Sequence, residues 1–570
     1  MLLIPAWLAV WSAHVIWLTY SPVPFLDQWA NVQAMYDVRE TGWLTYLFSQ
    51  HNEHRILFPR LVFLADWAWF GGRNGLSIAA IGAVQLLGAG FFIHAALRQR
   101  PGTLGVFGLA AALAMIASLT QWENLFCGFQ LAFVAVYAAG AWAIYLHALA
   151  GALAGADAER VHWGAMAGAL AFLAVATFSM ANGFAAGAAM VLAGLVSRQR
   201  PKVILTAAVA TAVLFAIYVH DYRQPGSASL LQHVLAHPGR FVFYVAILLG
   251  NLWEPVQYGR ASLIGLAGMM LSFAMLVVLL RSEKRDPVRA ALFGVVLFVG
   301  MSAAVTSFGR LALGVEQALS SRYVTPATYF WAAQALFWGL TADRGDASWI
   351  GLQRTPQAWT LTVERSLGAW ARIGLALILG IFIWRLFWLQ PIVQFKALAA
   401  TRERMLAGAS ALLGGIDDAQ SLQGIGPAPT VQRLTPFLRA TRTSVFADPV
   451  PAKVGQPLRL PIAPSAACRG AFEFLTPTSS GEAWRATGWG WDRTARRTFS
   501  RVVLVDHSGR VLGVGGSGIP RFEIPKAIHE VRDVQAGWLS LLRRGDGREV
   551  VAYGITPAGA ACEIGRKPWV

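Results

Sequence analysis

Long apolar stretches, separated by short polar connections, dominate the first two thirds of the chain. A transmembrane helix needs about 20 mainly apolar residues, and 11 stretches approach that length. We predict these stretches as membrane spans: Leu2–Tyr20, Gly75–Leu97, Leu104–Leu119, Phe129–Leu149, Trp163–Phe178, Phe184–Val196, Val203–Val219, Ser262–Leu280, Ala290–Thr306, Thr325–Leu340 and Ile373–Leu389. Two shorter or interrupted apolar stretches, Ile56–Phe70 and Phe241–Gly250, are predicted as helices in the membrane interface.

The polar connections form two sets that alternate along the chain. One set holds 14 Lys and Arg and lies at 98–102, 151–162, 197–202, 281–289 and 343–372. The other set is about twice as long, holds only 9, and lies at 21–74, 121–127, 179–183, 221–260 and 307–323. Because cytoplasmic loops are rich in Lys and Arg, the first set and the N-terminus are predicted to be cytoplasmic. An odd number of spans then places the tail outside, with 21–74 as the first outer loop.

The tail has a different pattern from the rest of the chain. Residues 391–457 are predicted to be an amphipathic connector and a linker, because Gly424, Gly426, Pro427 and Pro429 interrupt regular structure. Beyond them, alternating apolar residues and turn signals predict strands at Ala471–Leu475, Ser500–Val505, Val511–Val514 and Val550–Ile555. Asp506–Gly509 is a predicted hairpin turn. The chain is thus predicted to be a polytopic α-helical membrane protein, 1–390, with an all-β sandwich at 458–570.

Composition agrees with this division. Of the 570 residues, 56% are hydrophobic and 14% are charged, whereas soluble domains carry roughly 25% charge. A soluble enzyme of this length is therefore excluded. The net charge of +17 invites a nucleic-acid partner, but the chain has no helix-turn-helix, zinc-ligand or RNA-binding strand motif. We expect no nucleic-acid binding, and the basic excess before residue 395 mainly reflects topology.

Two cysteines fall near opposite ends of the predicted β domain. Cys468 lies near its first strand and Cys562 near its last. An oxidising compartment permits a disulfide between them, while two unrelated buried thiols fit the sequence equally well. The third cysteine, Cys127, lies at the head of a span.

Polar residues in the first outer loop form two candidate groups. Asp27 lies just outside the first span and suits a general base at the bilayer edge, although it equally suits an N-cap of the following helix. Glu53 lies among His51, His54 and Arg55. A divalent metal is possible there but not favoured, because three or four converging ligands are needed. A hydrogen-bonded network that anchors the loop is the preferred interpretation.

The later outer connections supply further candidates. Glu123, with Gln121 and Asn124, lies at the outer end of one span and is either a site residue or part of a solvated helix end. Asn182 lies in a short outer turn, and Arg322 and Tyr323 open another span. Arginine suits a lipid phosphate, but Arg and Tyr are also common at membrane interfaces. We expect an outer pocket, roofed by the tail domain, to bring these residues together.

This layout resembles the GT-C glycosyltransferases, membrane enzymes that use polyprenyl-phosphate-linked sugars, such as protein O-mannosyltransferases, aminoarabinose transferases and arabinosyltransferases. The resemblance rests on a long first outer loop with an acidic residue soon after the first span, here in Phe25-Leu26-Asp27-Gln28-Trp29. Pro59 stands alone where relatives often have a Pro-rich motif. The tail resembles the β-sandwich ends of some bacterial glycosyltransferase-like proteins through Gly488–Asp492, the Val502–Val511 hairpin and Gly537-Trp538.

The resemblance implies sugar transfer to a glycan, lipid or protein acceptor on the outer face of a bacterial-type inner membrane. Asp27 would be the base, Glu53 or Glu123 would orient the acceptor, and the substrate-binding residues would be His51, His54, Arg55, Gln121, Asn124, Asn182, Arg322 and Tyr323. The resemblance implies the lipid-linked donor and membrane lipid as partners, and it implies no certain cofactor. A transporter or flippase of lipid-linked sugars, or a non-catalytic envelope glycan-binding or assembly protein, are the alternatives. The transporter alternative is weakened because transporters usually have repeated halves and charged sites near mid-bilayer, and no repeat and no acidic residue in the middle of a span is evident.

Overall fold

The computed structural model describes residues 2–569 except 152–160, 224–228, 283–285, 344–349, 356–357, 364–366, 389 and 450–451. The first helix is followed by a loop region of short elements. These are α1 (Leu3–Thr19), α2 (Gln28–Thr41), α3 (Trp43–Phe48), strands β1 (Gln50–His51) and β2 (His54–Arg55), and α4 (Leu57–Phe70). The loop region therefore contains a helix and a small hairpin close to the predicted sites. Ile56–Phe70 is confirmed as a helix, α4.

A helical bundle forms the middle of the chain. Its helices are α5 (Gly75–Gln99), α6 (Thr103–Ala117), α7 (Trp122–Phe126), α8 (Leu131–Ala150), α9 (Trp163–Thr177), α10 (Phe184–Val196), α11 (Pro201–Val219), α12 (Ser229–Ala236), α13 (Pro238–Gly250), α14 (Tyr258–Arg281), α15 (Pro287–Arg310) and α16 (Val324–Asp343). Six segments of the described residues are long and apolar enough to cross a membrane. They coincide with six of the predicted spans and lie at Gly75–Gln99, Thr103–Phe126, Gly128–Ala150, Pro201–Val219, Tyr258–Arg281 and Pro287–Leu313.

Helix α13 packs inside the bundle. Its residues 244–250 are buried, and it packs mainly against α14 and α15. Gly250 and Gly265 allow this contact, because a Cβ at either position would clash with a backbone carbonyl of the other helix. An interfacial helix would leave one face outside the protein, so the interfacial prediction for Phe241–Gly250 is corrected for residues 244–250. Close backbone packing buries these residues, while Val242 stays exposed.

The segments after the bundle lead to the tail. They are strands β3 (Ile350–Thr355) and β4 (Ala358–Val363), then α17 (Leu367–Trp388), α18 (Gln390–Gly414), α19 (Ala419–Gln423) and α20 (Ala428–Thr441). The predicted linker is therefore largely helical. The turn between α19 and α20 packs tightly against α2. A Cβ at Gly426 would clash with the Trp29 ring. The connector is docked on the first loop region.

The tail is one antiparallel sheet of seven strands, nearly closed into a barrel. Its elements are β5 (Cys468–Pro477), β6 (Trp484–Asp492), β7 (Arg501–Val505), β8 (Val511–Ile519), α21 (Glu523–Ala527), β9 (Gly537–Leu542), β10 (Glu549–Ile555) and β11 (Ala561–Pro568). The strand order is β11-β10-β7-β8-β9-β6-β5. The end strands lie against each other, since a Cβ at Gly565 would be 2.8 Å from Phe472 N. The sandwich prediction is therefore corrected: one sheet curls until its edges meet.

A disulfide between Cys468 and Cys562 joins these two end strands. The two open interpretations of these cysteines thus resolve in favour of pairing. The predicted turn is also present, because Asp506 Oδ1 accepts hydrogen bonds from the backbone N–H groups of Ser508 and Arg510, both at 2.9 Å. Gly509 in this turn has a φ of +77°, which favours glycine.

The sheet has two buried faces. Val502 and Leu504 point into the barrel, while Val503 and Val505 belong to a separate cluster on the other face. Helix α18 lies across β8 and β9, where Ser410 Oγ donates to Val514 O at 2.8 Å and accepts from Leu541 N at 2.7 Å. A helix therefore covers the sheet on the side that faces the bundle.

The sheet packs at one end of the bundle, where Gln535 Nε2 donates to Leu18 O. We call this the sheet end. The opposite end is held by different contacts, such as that from Leu104 N to Asp343 Oδ1 at 3.0 Å. The ends of α1 and α15 and the start of α16 lie at the sheet end, so the predicted outer connections are grouped there.

Candidate active site

Asp27 lies at the start of α2, in a turn that the connector holds. Ile425 O accepts a hydrogen bond from Leu26 N at 2.8 Å and another from Trp29 Nε1 at 3.1 Å. Leu26 has a φ of +49°, and Gln28 Oε1 accepts from Phe25 N at 2.8 Å. The Asp27 side chain does not cap α2. The N-cap interpretation is therefore wrong, because the chain enters the helix with Asp27 already helical.

The Asp27 carboxylate faces Arg322 across 3.8 Å and is 43% exposed. Arg322 also contacts Glu123, with Nη2 3.1 Å from Oε1. Glu123 is only 6% exposed, and its other oxygen accepts from Ser321 Oγ at 2.9 Å. Glu123 is thus a buried partner of Arg322 and not part of a solvated helix end.

Gln121 and Asn124 hold the segment that carries Arg322. Asn124 Nδ2 donates to Arg322 O and to Thr325 Oγ1, both at 2.8 Å. Thr325 Oγ1 in turn donates to Gln121 Oε1 at 2.7 Å. Both amides are fully buried, so in this structure they position the segment that carries Arg322, and their predicted substrate contacts stay a prediction.

The second charged group is carried by the β1–β2 hairpin. Asn52, with φ of +48°, forms the turn, and Glu53 Oε1 lies 2.6 Å from Arg310 Nη2. His54 Nε2 lies 3.7 Å from the same oxygen, while its Nδ1 accepts from Ala181 N at 3.3 Å. Arg310 was not among the predicted site residues. Its signal was its position at the end of α15, on the same side as the first outer loop.

Burial and neighbouring charges set the protonation of these groups. Burial alone would raise the pKa of Glu53, but His54 and Arg310 outweigh it and lower that pKa. Burial lowers the pKa of His54 to about 4. His54 is then neutral near pH 7, so its effect on the pKa of Glu53 requires acidification, and Arg310 is the cation paired with Glu53 at neutral pH.

Arg322 and Tyr323 are also shifted. Burial opposes the charge of Arg322, but Glu123 and Asp27 raise its pKa. Burial, partly offset by Arg310 and Arg322, raises the pKa of Tyr323. The guanidinium therefore stays charged and the phenol stays protonated at neutral pH. Tyr323 is 6% exposed and lies within electrostatic range of both charged groups.

His51 links the Asp27 and Glu53 groups. Burial lowers its pKa, while Asp27 and Glu53 act on it in the opposite direction. Its ring packs edge-on against Phe129, with centroids 5.0 Å apart. The structure thus brings Asp27, Glu53, Glu123, His51, His54, Arg322 and Tyr323 to one region at the sheet end.

Arg55 and Asn182, two of the predicted site residues, make hydrogen bonds to groups outside this region. Arg55 donates from Nε to Tyr218 O at 2.8 Å and from Nη1 to Phe48 O at 2.7 Å, and it also contacts His220 O. Asn182 Nδ2 donates to Ser302 Oγ at 2.7 Å. Arg55 therefore ties the hairpin to the end of α11, and Asn182 ties a turn to α15. Neither contacts the carboxylates.

A small cavity lies beside Gln28, and a groove of about 770 Å³ lies between α18, α19 and α20. Asp27, Glu53 and Glu123 line neither of them. Among the described residues, no group of three or more His, Cys, Asp and Glu is arranged to hold a metal ion. Comparisons with protein-family models, curated proteins and solved structures find no match for this chain.

Proposed function

We propose that the protein is a membrane glycosyltransferase that moves a sugar from a polyprenyl-phosphate donor to a glycan, lipid or protein acceptor. The observation that carries the proposal is the grouping of three carboxylates, two of them partly exposed, with two arginines at one end of the bundle. Transfer from a lipid phosphate needs a base for the acceptor hydroxyl and cations for the departing phosphate. Both kinds of group are present within one cluster.

Asp27 is the proposed general base. Among the described residues its carboxylate accepts no hydrogen bond, and its nearest cation is 3.8 Å away. Glu53, in contrast, is tightly paired with Arg310 at 2.6 Å, which lowers its pKa and weakens it as a base. In the proposed reaction Asp27 takes the hydroxyl proton, the acceptor oxygen attacks the anomeric carbon, and the bond from that carbon to the phosphate oxygen breaks.

Arg322 is the proposed phosphate ligand. Guanidinium groups bind phosphate oxygens through paired hydrogen bonds, and charge develops on the phosphate as the sugar leaves. Glu123 holds the guanidinium from behind at 3.1 Å, and the Tyr323 hydroxyl is available as a donor. Glu53 and Arg310 are assigned to orienting the acceptor beside His51 and His54.

The proposed setting is a bacterial-type inner membrane crossed 11 times, as the apolar stretches predict. The positive-inside rule places the N-terminus in the cytoplasm and the sheet end outside. Sugar nucleotides are cytoplasmic, so an outer site favours a lipid-linked donor. Protease protection of the tail in sealed cells and in inverted vesicles tests this orientation.

The activity test compares Asp27→Asn, Arg322→Gln and Glu53→Gln with wild type in liposomes that contain polyprenyl-phosphate sugars and candidate acceptors. Glu40→Gln, an exposed change on the same helix as Asp27, is the matched control. We expect Asp27→Asn to lose about 10²–10⁴-fold in transfer, the usual contribution of a general base. Arg322→Gln should lose transfer with a larger effect on donor KM.

Full transfer by Asp27→Asn would overturn the base assignment. Flipping of the lipid-linked sugar across liposomes, without transfer to any acceptor, would favour the transporter alternative. Saturable glycan binding without transfer or flipping would favour the binding or assembly alternative.

A further inference from the structure

Two arginines lie together where α18 crosses the C-terminal sheet. Arg402 faces β8, because a Cβ at Gly518 would be 3.2 Å from Arg402 Nε and Nη2. Arg501 pairs with Gly516 in the β7–β8 ladder, and a Cβ at Gly516 would be 3.3 Å from Leu406 Cδ2, one turn after Arg402. Residues directly opposite in an antiparallel ladder share a face, so both arginine side chains lie on the α18 side of the sheet.

These two guanidinium groups lack partners. The Nε of Arg402 is buried without a hydrogen bond, and among the described residues neither arginine makes an ion pair or side-chain hydrogen bond. Burial lowers the pKa of Arg402 to about 10, and the charge of Arg501 adds to this effect. Both residues are half-buried, and two like charges held side by side repel each other, so this arrangement favours binding of an anion.

The surroundings are also basic. Arg73 Nη2 lies 2.8 Å from Asp448 Oδ1, and Asp448 is the carboxylate that acts on Arg501. The Tyr20 hydroxyl donates to Arg73 O at 2.7 Å, which fixes this corner at the end of α1. Asp448 pairs directly with Arg73 and acts on Arg501 only electrostatically, so the positive charge of the three arginines exceeds that of this one carboxylate.

We propose that Arg402 and Arg501 form an anion site for a phosphate group, distinct from the carboxylate cluster. A phosphate presents several strong acceptor oxygens and matches the planar donors of guanidinium groups. Two exposed aromatics precede Arg73, namely Trp69 at 78% and Phe70 at 51% exposure. Aromatic rings of this kind mark the level of lipid headgroups. The phosphate is carried either by a phospholipid headgroup or by a soluble anion.

Thermal unfolding of the delipidated full-length protein in detergent tests this site. The probes are inorganic phosphate and short-chain phosphatidylglycerol, each compared with chloride at the same ionic strength. An anion that binds the native state raises Tm. We expect this rise in wild type, and we expect Arg402→Gln and Arg501→Gln each to weaken the apparent affinity by about tenfold or more.

Arg404→Gln is the matched control, because this arginine is exposed on the same helix and donates to Thr401 Oγ1. It should keep the anion-dependent rise. Without anion, Arg402→Gln should melt at or above the wild-type temperature, since it removes one of two unpaired charges. A melting temperature at or above wild type shows that the variant has lost the anion site and not its fold.

A rise with phosphatidylglycerol alone assigns the site to a lipid headgroup, and a rise with inorganic phosphate assigns it to a soluble anion; both support the proposal. The proposal is overturned by no rise with either probe, or by an equal rise in all three variants. Transfer activity does not enter the readout, so this outcome is independent of the proposed function.

Discussion

The carboxylates at the sheet end differ in what each one contacts, and this difference sets what each can do. One oxygen of Glu53 pairs closely with Arg310, and Glu123 is buried against Arg322. Asp27 is partly exposed, and its nearest cation, Arg322, is 3.8 Å away. A base must be ionised, accessible and free to accept a proton. Of the three, Asp27 fits this description best.

His54 makes the stability of the fold depend on pH. Its folded-state pKa is about 4, below the 6.5 of an unfolded histidine, so the unfolded state binds more protons as the pH falls between these values. Stability is therefore complete above about pH 6.5 and is lost on acidification. Ionised Glu53 adds to this loss at lower pH, because its pKa is also lowered.

We expect His54→Gln to remove about 2 kcal/mol of the stability loss between pH 7 and pH 5, measured by thermal unfolding. Glu53, His51 and Arg310 are the charged or titratable groups facing His54, so Glu53→Gln serves as the comparison. Parallel stability–pH curves for His54→Gln and wild type would contradict the assignment.

Residue types and spacing were enough to identify most members of the cluster, because polar residues next to apolar spans are conspicuous. They were not enough to assign partners. Gln121 and Asn124 lie beside Glu123 in sequence, yet their amides face inward to Thr325. Arg55 adjoins His54 but turns to carbonyls of α11 and its flanking residues. Side-chain direction depends on tertiary packing, which local sequence does not encode.

At the scale of elements, the connector is the feature that the sequence pattern misjudged. Gly and Pro residues indicated a linker, but the chain from 415 to 428 turns tightly against α2. Gly426 lies against the Trp29 ring, and Ile425 O accepts hydrogen bonds from both sides of Asp27. Glycine is required there by close approach, so its presence indicated contact and not flexibility.

Gly426→Ala should therefore loosen the start of α2 by about 1–3 kcal/mol, the usual cost of overpacking. Hydrogen exchange of the peptide that contains Leu26 measures this directly, because its N–H is bonded to Ile425 O. The control is Gly424→Ala, where the nearest atom to a new Cβ is 3.2 Å away. Equal protection of Leu26 in both variants would show that the contact does not hold the turn.

The helices and strands themselves were predicted unevenly. Long apolar runs identified the helices well, since hydrophobic length is a strong signal. Strands β6, β9 and β11 were not predicted. Glycines interrupt the alternation in β6 and β11, and β9 is buried at every position, so it shows no alternation. Gly488 in β6 is needed, since a Cβ there would clash with Ala471 O. The pattern thus identified a β domain but not its seven-strand closure.

At the scale of the whole molecule, the tail is a closed unit fixed to the bundle through α18 and the loop region. The Cys468–Cys562 disulfide crosses the seam between the end strands and encloses a sequence separation of 94 residues. A bridge of that loop length stabilises a fold by about 4–5 kcal/mol in the chain-entropy model.

Cys468→Ser combined with Cys562→Ser should lower the stability of the tail by up to about that amount. Thermal unfolding with and without reductant checks this, and reductant should destabilise wild type but leave the double variant unchanged. Cys127→Ala, which removes the free buried thiol, is the control and should keep the response to reductant. A reductant-insensitive wild type would contradict the expected role of the bridge.

The hydrogen bond between Trp29 and Ile425 also has a consequence for biosynthesis. The two residues are 396 positions apart, and ribosomes add roughly 5–20 residues per second. For about 20–80 s the first loop region therefore exists without the support that its final conformation requires. The first loop region can therefore reach its final conformation only after the connector has been synthesised.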